Sequence, residues 1–401
     1  MTTAIIISIC VLLLIAYLFD LSSSKTRIPS VILLLILGWV VRQSIRLLGI
    51  EVPDPGSFLP ALGTIGLIMI VLEGSLELEF NRSKIPVIAK SLFVATIPII
   101  GLAFLLAYLF NYYDGVPYKA GLLNAIPFCV ISSAIAIPSV KNLSKKQREF
   151  VTYESSLSDI LGILFFNFLA YNAIINSSSF VQFGLQLLII TAISFIATIA
   201  LAFLLSKIDH HIKFAPIVLL VILIYEISKV YNLPGLIFIL LFGLFLGNLD
   251  ELKRFKWIQK LKPEELNMEV FKFKELIVEG TFLIRSLFFL LFGYLIETAE
   301  IINTQSLTWA LVISAAIIVI RSIILMIVRM PLTPLLFIAP RGLITILLFL
   351  GISTEQSIVL VNRSLIIQVI IITAFIMMLG LMFTKKTKEE DPIEETILAH
   401  H

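Results

Sequence analysis

Residues 150–174 read FVTYESSLSDILGILFFNFLAYNAI. The run is long enough to cross the roughly 30 Å hydrocarbon core of a bilayer as a helix, yet it carries two acids. At about 100° per residue, Glu154, Ser158, Gly162, Ser155 and Asp159 fall at about 0°, 40°, 80°, 100° and 140° around the axis and form one polar face. A carboxylate at mid-membrane costs at least a few kcal/mol, so this face has to turn towards protein or a cavity. Asp159 lies about 7.5 Å deeper than Glu154 by helical rise. A deep acid that holds either a proton or a cation is the minimum equipment for exchanging one for the other.

Similar runs recur at approximately 4–20, 27–48, 59–78, 86–110, 118–140, 180–206, 213–230, 234–249, 274–296, 307–329, 332–352 and 364–383. Hydrophobic residues make up 59% of the 401 positions and charged ones only 14%, which excludes an ordinary soluble domain. The fold class is therefore an all-α polytopic membrane protein with about 13 transmembrane helices, spanning residues 1–384. The first run has no positive residue before it and no small-residue cleavage site, so it is expected to stay as a helix.

Most lysines and arginines, including Arg82, Lys84, Lys141, Lys145, Lys146, Arg148, Lys253, Arg254, Lys256, Lys385 and Lys386, fall on one set of loops. Arg42, Arg46, Lys119, Lys229 and Arg363 fall on the other. The positive-inside bias then places the N-terminus outside and the C-terminus in the cytoplasm, in a cell inner (plasma) membrane. The net charge of +3 follows from that topology and implies no nucleic-acid partner. Residues 250–274 mix Leu252, Phe255, Trp257 and Ile258 with lysines, the pattern of an amphipathic cytoplasmic linker helix; 385–401 form a short charged tail.

No glycine-rich phosphate loop, nucleotide fingerprint, nucleophile elbow or zinc spacing occurs, so no cofactor and no enzyme activity are expected. Cys10 and Cys129 lie in apolar runs without metal-type spacing. Gradient-driven transport, a channel or a membrane scaffold remain. Two runs in corresponding places of the two halves are interrupted: NAIPFCVISSAIAIPSV contains Pro127 and Pro138, and PLTPLLFIAPRGLITILL contains Pro334, Pro340 and Gly342. Proline removes a helix hydrogen bond, and the freed carbonyls need partners inside the protein or in a cavity. Paired broken helices are the best sequence pointer to a transporter site. Three arginines, Arg285, Arg321 and Arg341, sit inside apolar runs, where each needs a partner; Glu73 and Glu154 are the buried acids available.

These residues resemble the cation–proton antiporter superfamily, which holds bacterial sodium–proton antiporters and animal sodium–hydrogen exchangers. The carriers are LGTIGLIMIVLEGSLELE at 62–79, ISS at 131–133, ESSLSD at 154–159, IRSLFFLLFG at 284–293, the Arg321 run and APRGLITILL at 339–348. The resemblance implies inverted repeats, with two crossed broken helices in a core that moves against a panel domain within a homodimer in the lipid bilayer. It implies that Asp159 binds the monovalent cation and the proton, and that Glu154 pairs with Arg321. The implied activity is antiport of Na⁺, or of K⁺ or Li⁺, against H⁺ in pH homeostasis; the alternative is a cation channel or regulated K⁺ efflux protein of related fold.

Two positions depart from the family pattern. Ser158 stands where asparagine or a second aspartate is usual, and Ala134-Ile135-Ala136 stands where many relatives have Thr-Asp-Pro. Ser132, Ser133, Ser155, Ser158 and freed carbonyls are therefore expected to complete the site, with Glu73, Arg285 and Arg341 as accessory groups. A single carboxylate that changes charge state points to electroneutral exchange.

Overall fold

Helix forms within every one of the apolar runs, and polar residues just before them set several of the starts. The computed structural model describes residues 2–26, 28–49, 55–78, 81, 83–172, 174–207, 212–252 and 263–384. In chain order the helices are α1 (Thr2–Thr26), α2 (Ser30–Leu47), α3 (Leu59–Glu77), α4 (Ile85–Asp114), α5 (Tyr118–Ala125), α6 (Ser133–Ser139), α7 (Lys145–Tyr171) and α8 (Ser177–Lys207). They continue as α9 (Phe214–Val230), α10 (Leu236–Gly247), α11 (Pro263–Leu295), α12 (Thr304–Ile327), α13 (Leu343–Leu350) and α14 (Arg363–Met382), with a few single turns between them.

Caps explain three of the starts. The Ser144 hydroxyl accepts from the Gln147 N–H ahead of α7, the Asn303 side chain accepts from Gln305 and Ser306 ahead of α12, and the Asn362 side chain accepts from Leu365 ahead of α14.

Among the described residues there is no strand, and nine helical stretches are long and apolar enough to cross a membrane. The other four runs differ for visible reasons. Charges crowd the first turns of α7, α9 and α10 are short, and 332–352 is broken into a single turn and α13. Of the expected linker helix, 253–262 lie outside the described residues, and 263–274 form the opening turns of α11, continuous with the run that follows. The tail 385–401, Glu79 and Arg82 also lie outside the described residues.

Packing sorts the helices into two bundles. In one, α2 and α3 pack on α11, α3 packs on α10, and α10 packs on α8; in the other, α4 packs on α5, α7 and α12, and α12 on α14. The bundles meet where α3 touches α6, α7 and α13. Much of α1, α4 and α8 presents exposed apolar side chains such as Leu14, Phe104 and Ile196, the surface a lipid-facing helix needs.

Candidate functional site

The site is built where the two broken runs meet. After α5 the chain makes a tight turn at Ile126–Phe128, where Pro127 cannot donate, and it stays out of helix until α6 begins at Ser133. The second break lies between the turn Leu335–Phe337 and α13. The Ser132 N–H donates to the Pro340 carbonyl at 2.9 Å and joins one break to the other. Gly342 permits this approach, because a Cβ there would lie 2.8 Å from Ser132 Oγ and 2.6 Å from Ile135 Cδ1. Helix α7 passes alongside. Its Ser158 hydroxyl accepts from the Ile131 N–H at 2.9 Å, and Gly162 leaves room for Val130, whose Cγ2 would stand 2.2 Å from an added Cβ.

Asp159 is 1% exposed. Its Oδ2 accepts from the Ser133 hydroxyl in a close contact and from the Ser133 N–H at 3.4 Å. Its Oδ1 is buried with no hydrogen-bond partner, and so is Ser132 Oγ. Orphaned buried oxygens are costly, and a water, a proton or a cation could each satisfy them. The expected hydroxyls thus divide. Ser133 reaches Asp159, Ser132 has a free oxygen at the break, Ser158 holds the Ile131 backbone, and Ser155 turns back to the Val151 carbonyl at 2.8 Å.

Glu154 and Arg321 are brought together as a two-pronged pair, at 2.5 Å and 2.9 Å, with both side chains 3% exposed or less. The Arg321 Nε also donates to the Leu335 carbonyl at 2.7 Å, which fastens the second break to α12 and α7. Arg341 has carbonyls for partners. Its guanidinium donates to Phe128 O at 2.6 Å, Ala339 O at 2.9 Å and Cys129 O at 3.4 Å. The Phe128 and Cys129 carbonyls lie where the first broken run leaves helix, so a cation there meets the negative end of that half-helix.

A cavity of about 840 Å³ lies between the bundles and reaches Ser133. Glu73 and Arg285 line it from α3 and α11, with the Thr281 hydroxyl beside Glu73, and neither sits at Asp159. Lys141 reaches Asp20 of α1 at 3.8 Å, Lys84 pairs with Glu149, and Lys274 approaches Glu77 at 3.8 Å around the same cavity.

Thr373 was not singled out from the sequence. Its hydroxyl accepts the Arg341 N–H at 3.1 Å and donates to the Val369 carbonyl. Thr373 and Gln368 are the two polar residues in the otherwise apolar IIQVIIITAFIMM stretch, and that was the available sign for both; Gln368 donates to the carbonyls of Glu300, Ile301 and Asn303.

The family model described as sodium/hydrogen exchanger, transmembrane, matches residues 10–385. The chain belongs to the sodium/hydrogen exchanger family. It is therefore a multi-pass membrane transporter of the cation–proton antiporter superfamily. No curated protein matches the chain at a significant level. Its fold is similar to that of the sodium proton antiporter MjNhaP1 from Methanocaldococcus jannaschii in two structures. The one at pH 8 shares 18% identity at a TM-score of 0.67, with 95% of this chain and 96% of that chain covered. The other, an electron-microscopy map, shares 20% identity at 0.65, with 95% of each covered.

Proposed function

We propose that this exchanger is a secondary active antiporter that trades one monovalent cation, Na⁺ first and K⁺ or Li⁺ next, for one proton at Asp159. The observation that carries the reading is the arrangement at the breaks. A sealed carboxylate has one oxygen held by Ser133 and the other unpartnered, beside an orphaned Ser132 hydroxyl and close to a cavity that ends at Ser133. The ligand set of Asp159, Ser132, Ser133 and the freed carbonyls supplies only oxygens, which suits a hard cation.

The bundle of α4–α7 and α12–α14 is the moving core, with its broken runs crossing, and the other bundle is the panel and the dimer surface. Thirteen spans put the N-terminus outside and the C-terminus in the cytoplasm of the cell inner membrane. Lys84, Lys141, Arg148 and Lys274 around the large cavity then mark its mouth as cytoplasmic. Loaded with a proton or with a monovalent cation, Asp159 is neutral either way, and Glu154 is committed to Arg321. The exchange is thereby electroneutral.

The test is dye-monitored proton flux in proteoliposomes, with Na⁺, K⁺ and Li⁺ supplied in turn. Cation-dependent flux that saturates and requires the counter-gradient is expected; conduction without a counter-gradient would select the channel reading.

A further inference from the structure

A second space opens along α7 beyond Asp159. A cavity of about 210 Å³ lies between α7 and α13 of one bundle and α3, α9 and α10 of the other, the same two bundles that flank the large cavity. Ile160, next to Asp159, lines it, and Leu164 and Asn167 follow on the same helix. Asn167 and Tyr171 also line a pocket of about 130 Å³ whose walls include Asn172, Gln182, Gln186 and Asn232. The large cavity touches the opposite end of α7, at Arg148, Glu149, Thr152 and Tyr153. Along α7, therefore, Asp159 stands between two cavities, with Ser133 towards one and Ile160 towards the other.

We infer that the two smaller spaces are the closed outer half of the ion route, and that Lys229 sets how readily a cation enters it from that side. The inference rests on the antiporter reading above. In the large cavity the carboxylates of Asp20, Glu73, Glu77, Glu149 and Glu279 are balanced by Lys84, Lys141, Arg148, Lys274 and Arg285, so that side presents no net positive charge to an arriving cation. Among the described residues that line the two smaller spaces, Lys229 carries the only charge; the rest of the polar lining is amide, hydroxyl and phenol. Glu226, one turn earlier on α9, lines neither space.

Amide oxygens can replace water around a cation once it arrives but do not draw it from a distance. A fixed positive charge at the entrance lowers the local cation concentration. The amide pocket has room for about four waters at about 30 Å³ each, enough for a partly hydrated ion. Loading is thus favoured from the Ser133 side, and Lys229 makes the transporter sided.

The experiment compares the unmodified protein, Lys229→Gln and Lys229→Glu in proteoliposomes of defined orientation. The apparent KM for Na⁺ is read with the ion supplied on either side. On the Lys229 side KM falls about twofold to fivefold in Lys229→Gln and further in Lys229→Glu, and it stays unchanged on the Ser133 side. The difference shrinks when ionic strength is raised with a cation that is not carried.

An unchanged KM on the Lys229 side, or an equal change on both sides, overturns the inference. Absence of cation-coupled proton flux in the unmodified protein overturns the antiporter reading instead. The route is checked separately with Asn167→Cys in a Cys10→Ser background. A membrane-impermeant maleimide labels it from the Lys229 side alone, and labelling from the Ser133 side, or from neither, rejects the route.

Discussion

Glu154→Gln removes one charge from a pair sealed from water on every side. Both side chains are 3% exposed or less, and two hydrogen bonds at 2.5 Å and 2.9 Å join them. Arg321 then keeps its charge with only the Leu335 carbonyl, at 2.7 Å, as a full partner. Breaking a buried pair by removing one member costs about 3–5 kcal/mol, because the survivor stays buried and uncompensated. One kcal/mol moves the melting temperature of a domain of 150–250 residues by about 2–4 °C, and a 401-residue chain moves somewhat less.

A fall of about 5–10 °C is therefore expected for Glu154→Gln, measured by scanning fluorimetry in a mild detergent. Asp159→Asn serves as the control, because that side chain bonds only to Ser133 and should shift melting by less than half as much. The double variant Glu154→Leu with Arg321→Met removes the stranded charge along with its partner and should recover most of the loss. A Glu154→Gln protein melting within about 1 °C of the original would refute the reasoning, as would a double variant no more stable than the single one.

Asp159→Asn should fold normally and abolish cation-dependent proton flux in proteoliposomes; flux at the original rate would remove Asp159 from the mechanism. Arg341→Gln takes the donors from the buried Phe128 and Cys129 carbonyls, each worth about 1–3 kcal/mol when left unsatisfied, so both melting temperature and flux should drop. Arg341→Lys keeps the charge without the fork and should fall between the two in both assays. Potassium–valinomycin potentials of either sign should leave Na⁺-driven proton flux unchanged, with another clamping ion if K⁺ is carried. Opposite responses to the two polarities would show that a second charge moves, with Glu73 the first suspect, since a charge crossing the full potential feels about 2.3 kcal/mol per 100 mV.

The residues that carried most of the reading were those that membrane physics forbids without compensation. Glu154 and Arg321 were each legible as needing a partner, because each is intolerable alone in an apolar run, and the family resemblance is what paired them; Pro127 and Pro340 marked the breaks because each removes a donor, whereas Pro138, expected to interrupt the same run, lies within α6. Hydroxyls were harder. A serine in a membrane helix can bond its own turn, as Ser155 does with Val151, or reach a neighbour, as Ser133 does with Asp159, and spacing does not separate the two. Arg341 was expected near the break but without its partners, because backbone carbonyls leave no trace in side-chain chemistry. The start of α11 at Pro263 was missed for a related reason. Its first turns are amphipathic and its later ones apolar, and a change of environment along one helix reads in sequence as a boundary.

The distribution of strong and weak contacts bears on how Asp159 can change sides. The shortest buried polar bonds lie within one bundle: Glu154 to Arg321 joins α7 to α12, and Arg341 and Ser132 join one break to the other. Between the bundles, α3 meets α13 through Gly63 against Leu347 and Gly66 against Leu343, and α7 through Gly74 against Ser156. Such contacts are broken and remade at small cost, because an apolar surface has no register to lose, whereas a stranded buried charge costs several kcal/mol. Among the described residues, the polar ties that cross include Lys141 to Asp20 at 3.8 Å beside the large cavity and, at the connection between α11 and α12, Arg363 to the Leu295 carbonyl and Gln368 to the Glu300 and Ile301 carbonyls. In the proposed exchange, a rigid unit that carries its own charge compensation would slide along α3 without exposing Glu154 or Arg321. The free oxygen of Asp159 would travel with that unit, because the bonds that position the carboxylate come from Ser133, on the same side of the sliding surface.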